Sequence, residues 1–384
     1  MNSYYSYGRK GLIRHSLGKY NLHMYSIRLV LYVIALGTIG VLVINSAADG
    51  FARKQLMGLA GGLILMVILS FIDYNYICKY ATLLYVINII MLIGVKLLGK
   101  NVNGATRWFS LGPFGTLQPS EISKVFMLII FAWIISENRQ RLSSLRGILY
   151  VGILYMIPVG LIVIEPDLST TLVFIFLFLI LMFVGGLSWK IIAWIAGLAV
   201  PTAIFLVWYI QQPGQILLHD YQLDRVMSFL YPSKYLSTTY YQQHNSLMAI
   251  GSGMLTGKGL NNNTITSVKG GDFLAEPQTD FIFAVVGEEI GFIGSCLVII
   301  LIALITMECL VIAANARDMC GRLIASGAAA IIAFQSFVNI GVATAILPNT
   351  GLPLPFVSYG LSSLLSNCLL IGLVLNVGLQ RNRR

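Results

Sequence analysis

Residues 274–294 read LAEPQTDFIFAVVGEEIGFIG, and this stretch decides how the whole chain is interpreted. It opens with a polar, turn-like hexapeptide and passes at Thr279 and Asp280 into a long apolar run. An ionisable residue at the start of a membrane helix is costly to keep, which makes it a functional-site candidate by default. The stretch therefore predicts a membrane helix that begins at Asp280, and it makes Asp280 the first candidate for chemistry.

The composition of the whole chain is that of a membrane protein. Of its 384 residues, 57% are hydrophobic and only 10% are charged, whereas soluble domains usually carry about 25% charged residues. Together with apolar runs of about twenty residues, this predicts an all-α, polytopic bundle that forms one membrane domain over residues 1–384. The net charge of +10 is ordinary for such proteins, because Lys and Arg collect on the cytoplasmic side. It does not indicate a nucleic-acid partner, and no nucleotide-binding motif or soluble catalytic domain is present in the sequence.

Ten apolar segments are predicted to span the membrane, and an even number places both termini on the same side. A basic tail, residues 1–27, precedes the first segment, and basic residues recur in the 137–146 loop and in the closing RNRR, so this side is predicted to be cytoplasmic. A large extracytoplasmic loop, 211–279, contains apolar patches that predict short interfacial helices. The predicted spans are 28–47, 55–72, 76–98, 121–136, 146–164, 168–187, 189–210, 280–306, 323–346 and 357–379.

Acidic residues cluster on the predicted outer side of the membrane. Most of the 15 acidic residues map to outer loops or to the outer halves of helices, and the topology rule does not predict this, because acidic residues contribute little to it. The clustering indicates that the polar residues which carry the function act at the outer surface. The segments that carry most of the unusual residues are 100–124, 165–170, 211–280 and 347–360. The prolines of the last segment predict a rigid re-entrant turn, which is tolerated at membrane depth only where it lines a cavity.

Asp280 has two interpretations at the level of sequence. With Thr279 it could cap the helix and favour its positive end. Alternatively it is an ionised carboxylate at the water–membrane boundary, able to accept a proton from a hydroxyl or to hold a divalent cation such as Mg²⁺ or Mn²⁺. On a continuous helix, Ala284, Gly287 and Gly291 would lie within about 40° of Asp280, and this strip of small residues would let a ligand approach.

Cationic and aromatic residues in the 100–124 segment form a second candidate group. Arg107 beside Trp108 suits a site that holds a phosphate or a sugar ring at the lipid headgroup level, although Trp and Arg also serve as interfacial anchors. Glu121 and Lys124 are three residues apart on a predicted helix and can form an ion pair. Lys124 could still face a cavity as a phosphate ligand.

Two further outer segments contribute one candidate each. Asp167, in the short turn at 165–170, is explained adequately as the N-cap of the sixth helix. Arg225 is an external cation on an amphipathic segment, where it could contact either lipid headgroups or a substrate pyrophosphate.

A series of short motifs occurs in a fixed order along the chain. They are NGATRW at 103–108, QPSE at 118–121 with Lys124, EPDL at 165–168, Arg225 with Phe229 and Pro232, AIGSG at 249–253 with GKG at 257–259, TDFIF at 279–283 with Glu288 and Glu289, and PLPF at 353–356 with SYG at 358–360. Over about residues 28–380 this combination resembles the SEDS family, whose members include RodA, FtsW and SpoVE. The sequence departs from the family pattern at Ala275, Gln278 and Leu361, and none of these departures removes a charged candidate. The proline-rich run at 353–355 favours RodA over FtsW.

The resemblance implies a GT-C-like fold of ten helices and an enzyme, a peptidoglycan glycosyltransferase, that polymerises lipid II into glycan strands at the outer face of the bacterial cytoplasmic membrane. Undecaprenyl pyrophosphate would be released, and the role would be cell elongation and shape. The resemblance also implies that Asp280 is essential, that Trp108 is functionally important, and that a class B penicillin-binding protein is the partner. The alternatives are an FtsW- or SpoVE-like polymerase of division or sporulation septa, or, in another class, a lipid II flippase or a non-catalytic scaffold.

Glycosyl transfer between lipid-linked sugars requires a carboxylate near the attacking hydroxyl and positive charge near the leaving pyrophosphate. Asp280 is predicted to meet the first requirement, directly or through a metal ion. Predicted substrate-binding residues are Arg107, Trp108, Lys124, Arg225 and Lys258, and predicted supporting residues are Glu121, Asp167, Glu288 and Glu289.

Overall fold

The computed structural model describes residues 24–381, except 49, 103–104, 111, 113–115, 166, 213–214, 216–219, 237, 239, 262–266, 268–270 and 272. Most of the predicted cytoplasmic tail, several stretches of the 211–279 loop, and the motif residues Asn103, Gly104 and Pro166 therefore lie outside the described part of the chain.

Helices make up nearly all of the regular structure. They are α1 (Ile27–Ala47), α2 (Ala52–Ser70), α3 (Tyr74–Cys78), α4 (Ala81–Leu98), α5 (Pro119–Glu137), α6 (Leu145–Ile164), α7 (Leu168–Val184), α8 (Trp189–Tyr209), α9 (Asp220–Leu230), α10 (Tyr241–Ser252), α11 (Ile282–Glu289), α12 (Gly291–Ala314), α13 (Met319–Ala343) and α14 (Leu361–Leu379), with short 3₁₀ helices at Arg139–Ser143 and Pro232–Lys234.

The predicted all-α membrane fold is confirmed. Within the described residues, eight helices are long and apolar enough to cross a membrane. The shorter apolar helix α7 and the 21-residue helix α8 occupy the places of two further predicted spans. Every predicted span thus corresponds to helical structure, although 76–98 is divided between α3 and α4. The count of ten membrane crossings stays a prediction.

Three helices form the centre of the bundle. In α5 and α13, 72% of the residues in the most apolar stretch are buried inside the protein, and in α14 the share is 83%. In the other candidate spans the share is 22–39%. An apolar helix exposed on one side suits contact with lipid, and a helix that is apolar and buried all round belongs to the core. The polar segments that precede α5 and α14 are consequently attached to the most buried of the candidate spans.

A small antiparallel sheet lies in the segment between α4 and α5, and the sequence interpretation did not include it. Its strands are β1 (Lys100–Val102), β2 (Ala105–Ser110) and β3 (Thr116–Leu117), in the order β1-β2-β3. In the register, Lys100 is opposite Trp108 and Phe109 is opposite Leu117. The sheet gives Arg107 and Trp108 a fixed backbone just before the buried helix α5.

The predicted continuous helix at 280–306 is wrong in two respects. The first helical residue is Ile282, its N-cap is Phe281, and no side chain caps it. Asp280 therefore precedes the helix, so neither the capping interpretation nor the helix-face argument for Asp280 holds. The helix is also interrupted between α11 and α12, where Gly291 has a φ of +71°.

The interruption between α11 and α12 is stabilised by residues 254–259 of the preceding loop. The amides of Lys258 and Gly259 donate to the carbonyls of Glu288 and Glu289 at 2.9 and 3.0 Å. The amide of Phe292 donates to the carbonyl of Met254 at 2.9 Å. Backbone groups freed at a helix break inside a membrane protein need such partners, because lipid offers none. The GKG motif thus has a structural role beside α11.

Gly257 and Gly259 provide a matched test of this close packing. Both have left-handed φ angles, +80° and +90°, but a Cβ on Gly257 would lie 2.2 Å from the carbonyl oxygen of Glu289, whereas a Cβ on Gly259 would meet no atom of the described residues within 4 Å. Both alanine variants incur backbone strain of about 1–2 kcal/mol. Gly257→Ala adds a backbone clash, so we expect it to lower the melting temperature of the purified protein clearly more than Gly259→Ala. Equal losses in the two variants would contradict this account of the helix break.

The remaining loop predictions concern 211–279 and 347–360. The long loop contains the short helices α9 and α10, as its apolar patches predicted, and their position at the membrane interface stays a prediction. The 347–360 segment is irregular as predicted, and Leu352, Leu354, Phe356 and Val357 are buried within the protein. The side-chain amide of Asn339 donates to the carbonyl of Leu352 at 2.7 Å, which fixes this segment on the core helix α13.

Candidate active site

Asp280 lies where three parts of the chain meet. The side-chain amide of Asn339, on α13, donates to the backbone carbonyl of Asp280 at 2.9 Å. A Cβ built on Gly351 would be 3.3 Å from Oδ2 of Asp280 and 3.9 Å from Nη1 of Arg225, so the carboxylate and the guanidinium flank the same glycine. The left-handed φ of +78° at Gly351 allows this turn. The structure thus brings together Asp280 and Arg225, two residues that the sequence interpretation selected separately.

The segment at 349–352 connects this carboxylate to the start of α7. Nη1 of Arg225 donates to the carbonyl of Thr350 at 3.4 Å, and the hydroxyl of Ser169 also donates to that carbonyl. Thr350 therefore receives hydrogen bonds from both sides of the site. Ser169 belongs to the 165–170 turn, which places that turn beside the turn that carries Gly351.

The same α7 turn contacts the region of the small sheet. Asp167 caps α7 as predicted, because Oδ1 of Asp167 accepts from the amide of Thr170 at 3.1 Å. Oδ2 of Asp167 accepts from the side-chain amide of Gln118 at 3.3 Å. Nε of Arg107 donates to the carbonyl of Glu165 at 2.9 Å. Trp108, the next residue on β2, is half-buried.

Two carboxyl groups of this region have raised pKa values. Burial raises the pKa of Asp280 to about 6; the positive charge of Arg225 opposes the rise, and the negative charge of Glu276 adds to it. Burial, followed by the charge of Asp167, raises the pKa of Glu165 to about 8, against the opposing charges of Arg107 and Lys96. At neutral pH, Asp280 is therefore mostly ionised while Glu165 holds its proton. A carboxylate with a pKa near the working pH is suited to accept a proton.

The family model described as a cell cycle protein, FtsW/RodA/SpoVE, matches residues 20–383. The chain belongs to the FtsW/RodA/SpoVE family. It is 36% identical to the peptidoglycan glycosyltransferase MrdB of Escherichia coli strain K12, over 92% of this chain and 93% of that protein. It is 34% identical to stage V sporulation protein E of Bacillus subtilis, over 91% and 95% of the two chains.

Solved structures share the fold of this FtsW/RodA/SpoVE member. A chain of a peptidoglycan synthase complex, from work on the coordination of polymerization and crosslinking, superposes with a TM-score of 0.73 at 29% identity, covering 92% of this chain and 97% of that one. The rod shape determining protein RodA of Thermus thermophilus, as a variant with one aspartate changed to alanine, gives a TM-score of 0.67 at 29% identity, covering 94% and 99%. The resemblance to the SEDS family that the motifs indicated is thereby confirmed.

Two predicted substrate-binding lysines are in ion pairs in this family member. Nζ of Lys124 lies 2.7 Å from Oε2 of Glu121, and the Lys124 side chain is 0% exposed, so the predicted pair is confirmed but the lysine does not line an open surface. Nζ of Lys258 lies 2.7 Å from Oε1 of Glu288, and its side chain is 22% exposed. Glu288 is near the far end of α11 from Asp280, roughly 9 Å along the helix from its first residue, Ile282. Substrate binding by Lys124 and Lys258 stays a prediction.

The two supporting acids at the end of α11 have different contacts. Glu288 pairs with Lys258, and Glu289 accepts a hydrogen bond from the hydroxyl of Ser46 on α1. Both glutamates are buried. They attach α11 to the loop and to α1, and their supporting role in catalysis stays a prediction.

Sequence reasoning missed several polar residues beside Asp280. Within the described part of the chain, Oδ1 of Asn339, Oδ1 of Asn349 and Oγ1 of Thr350 are buried without a hydrogen-bond partner. Ser169, Asn349 and Thr350 lie in segments that the sequence interpretation singled out, whereas Asn339 lies in an apolar helix. A lone asparagine within an apolar helical run was the available signal for Asn339.

Proposed function

We propose that this chain is a peptidoglycan glycosyltransferase that polymerises lipid II, in the manner of RodA, with Asp280 as the general base. The observation that carries the proposal is the half-buried Asp280 carboxylate, whose pKa is raised to about 6, beside the Arg225 guanidinium. The 36% identity to MrdB over nearly the full length of both chains supports the reaction class. A role in cell elongation follows the likeness to MrdB and RodA, and a septal role like that of FtsW or SpoVE is the alternative.

The proposed reaction forms one glycosidic bond and breaks one bond to phosphate. The 4-hydroxyl oxygen of an acceptor sugar attacks the anomeric carbon of a lipid-linked donor, and the bond from that carbon to the pyrophosphate oxygen breaks. The hydroxyl proton passes to the Asp280 carboxylate, and undecaprenyl pyrophosphate leaves with the electron pair. Arg225 and Arg107 supply positive charge for the pyrophosphate. Trp108 offers an aromatic face for a sugar ring.

A divalent cation is compatible with the residues beside Asp280. Mg²⁺ and Mn²⁺ prefer oxygen ligands, and side-chain oxygens of Asn339, Asn349 and Thr350 have no hydrogen-bond partner among the described residues. Asn339 contacts the backbone of Asp280, and Asn349 and Thr350 directly precede Gly351, which lies beside the Asp280 carboxylate. The described residues contain no group of three or more His, Cys, Asp or Glu that could hold a metal ion. Any cation would therefore be held by Asp280 with neutral oxygens and with the substrate pyrophosphate. Its chemistry would be to stabilise negative charge on the leaving group.

The proposed setting is a multi-pass protein of the bacterial cytoplasmic membrane with both termini in the cytoplasm. The substrate-binding end, which contains Asp280 and Arg225, then lies on the outer side. The solved relative in a peptidoglycan synthase complex supports a protein partner of complementary activity. We assign that role to a class B penicillin-binding protein, which would crosslink the strands that this chain makes.

Incubation of the purified full-length chain with lipid II in detergent tests the function. We expect glycan polymers on gels, and a chelator of divalent cations should abolish them only if a metal ion takes part. A flippase or a scaffold would leave lipid II unpolymerised in detergent. Absence of polymer from a folded preparation, with and without Mg²⁺ or Mn²⁺, would overturn the proposal.

The rate of polymerisation should depend on pH through the ionisation of Asp280. Because the base must be deprotonated, the rate should rise with pH and reach half its plateau near pH 6. The charge of Arg225 lowers the pKa of Asp280, so Arg225→Gln should move this midpoint to higher pH, in addition to any loss of substrate binding. Lys258→Gln, which removes a cation paired with Glu288, is the control and should leave the midpoint unchanged. The measurement is the pH profile of kcat/KM for each variant, and an unmoved midpoint in Arg225→Gln would contradict the assigned pairing.

A further inference from the structure

A basic corner and an adjoining apolar groove lie at one end of α6, away from the catalytic candidates. The loop 137–146 reads ENRQRLSSLR, with three arginines against one glutamate. It forms the 3₁₀ helix Arg139–Ser143 and leads into α6. We propose that this corner binds the headgroup of an anionic phospholipid, and that the acyl chains of the lipid lie in the groove between α6 and α7.

The headgroup part of the site is a cavity of about 230 Å³ lined by Asn138, Ser144, Arg146, Gly147 and Tyr150. Arg146 is exposed, and Tyr150, one helical turn further on, is 53% exposed. A guanidinium binds phosphate oxygens through two parallel hydrogen bonds, and a tyrosine hydroxyl is a further donor. The cavity therefore presents donors suited to a phosphodiester.

A second cation borders this corner at the same end of the bundle. Arg139 lines a neighbouring polar cavity that shares Asn138 with the first one. Nε of Arg139 lies 3.9 Å from the position of a Cβ on Gly186, so it also reaches the turn after α7. Glu137 is the acid of the corner, and it lines only the neighbouring cavity. Positive charge thus predominates where α6 begins.

The acyl part of the site is a groove of about 520 Å³ with an apolar lining that comes from α6 and from Phe178 of α7. Gly152 opens the groove, because among the described residues a Cβ at that position would touch only Cζ of Phe178, at 4.0 Å. At about 100° per residue, Leu149, Ile153 and Ile157 lie on the same helix face as Arg146. All three are exposed, Ile153 by 63%. A lipid bound at Arg146 can consequently extend its chains along this face.

Charge complementarity selects an anionic lipid over a zwitterionic one. Helix α6 is long and apolar enough to cross a membrane, so its first turn lies at the level of the headgroups. Basic pockets between helices at that level bind anionic headgroups, and each Lys or Arg near an anionic surface contributes about 1 kcal/mol, roughly a fivefold change in affinity. A zwitterionic lipid carries a cationic group that opposes the arginines.

Native mass spectrometry of the full-length protein in detergent tests the site, with phosphatidylglycerol and phosphatidylcholine added in equal amounts. We expect wild type to retain phosphatidylglycerol preferentially. Arg146→Gln should weaken phosphatidylglycerol binding about fivefold and leave phosphatidylcholine binding unchanged. Gly152→Leu should weaken both, because the larger side chain occupies the acyl groove. Arg317→Gln, an exposed arginine in the turn between α12 and α13, is the matched control and should bind like wild type.

Three results would overturn the lipid site. The first is equal retention of the two lipids by wild type. The second is an Arg146→Gln variant that binds like Arg317→Gln, and the third is a Gly152→Leu variant with undiminished binding, which would leave the groove to another occupant such as a partner helix. Polymerisation of lipid II without added phospholipid should be unchanged in all variants, which verifies that they are folded. If Arg146→Gln cannot be purified, the wild-type preference and Gly152→Leu decide the question.

Discussion

Replacement of Asp280 by asparagine is expected to lower the rate of lipid II polymerisation about 10²–10⁴-fold, the usual contribution of a positioned general base. Asparagine is nearly the same size and keeps the backbone carbonyl that accepts from Asn339. The variant therefore removes the proton acceptor and leaves the turn beside Gly351 in place. The loss should appear in kcat, and in kcat/KM to the same degree, because the proton is transferred only in the transition state.

The Asp280→Asn variant should lose activity without losing stability. The folded-state pKa of Asp280, about 6, lies above the usual value for aspartate. Folding therefore favours the protonated carboxyl, and the stability that this contributes is present below about pH 4 and is lost as the pH rises through 6. At pH 7–8 the ionised carboxylate costs stability, so asparagine should leave the melting temperature unchanged or raise it. Loss of activity without loss of stability would separate a catalytic role from a structural one.

Glu276→Gln is the matched control for Asp280→Asn. Glu276 is exposed, and its charge also acts on Asp280, so its removal should change the rate only a few-fold and lower the pKa of Asp280 slightly. Near-normal glycan chains from Asp280→Asn, or equal losses in the two variants, would remove Asp280 from the proposed mechanism. A folded Asp280→Asn protein that still binds lipid II would complete the assignment.

Local sequence patterns predicted the helices because apolar runs of membrane length leave few other structures. The same reasoning failed at Ile290 and Gly291, since this break depends on backbone hydrogen bonds with Met254, Lys258 and Gly259, which are more than 30 residues away in the chain. Local periodicity contains no information about such long-range partners. The position of Asp280 outside the helix was missed for the same reason, because its backbone is fixed by Asn339, 59 residues away in the chain.

The sequence identified charged residues of the candidate site but not the contacts that join its segments. Asp280 was selected as an ionisable residue at a membrane boundary and Arg225 as an external cation on an amphipathic segment, and the structure brings both next to Gly351. The contacts of Thr350 with Arg225 and with Ser169 arise from the packing of three distant segments. The sequence also left open whether Lys124 faces a cavity, because a helix period alone does not fix which neighbour covers each face.

Substitution of Glu121 by glutamine is expected to lower the free energy of unfolding by about 3–5 kcal/mol, the cost of leaving one member of a buried ion pair alone. The Lys124 side chain is 0% exposed, and its ammonium group lies 2.7 Å from Glu121. Water therefore cannot solvate the ammonium group once the glutamate charge is removed. Glutamine can still accept the hydrogen bond from the hydroxyl of Ser366, which limits the change to the charge itself. Reversible denaturation in mixed micelles, or the melting temperature in detergent, measures the loss.

Glu288→Gln is the control for burial, since it breaks a pair of the same length whose lysine is 22% exposed. Solvent can stabilise Lys258 after that change, so the loss should be clearly smaller than for Glu121→Gln. The double variant Glu121→Gln with Lys124→Met removes both buried charges and should recover most of the stability. Its activity then distinguishes two roles for Lys124: recovery of polymerisation along with stability indicates a structural lysine, whereas a stable but inactive double variant indicates that substrate phosphate reaches Lys124. A Glu121→Gln protein as stable as Glu288→Gln would show that the pair is not buried in the way the structure describes.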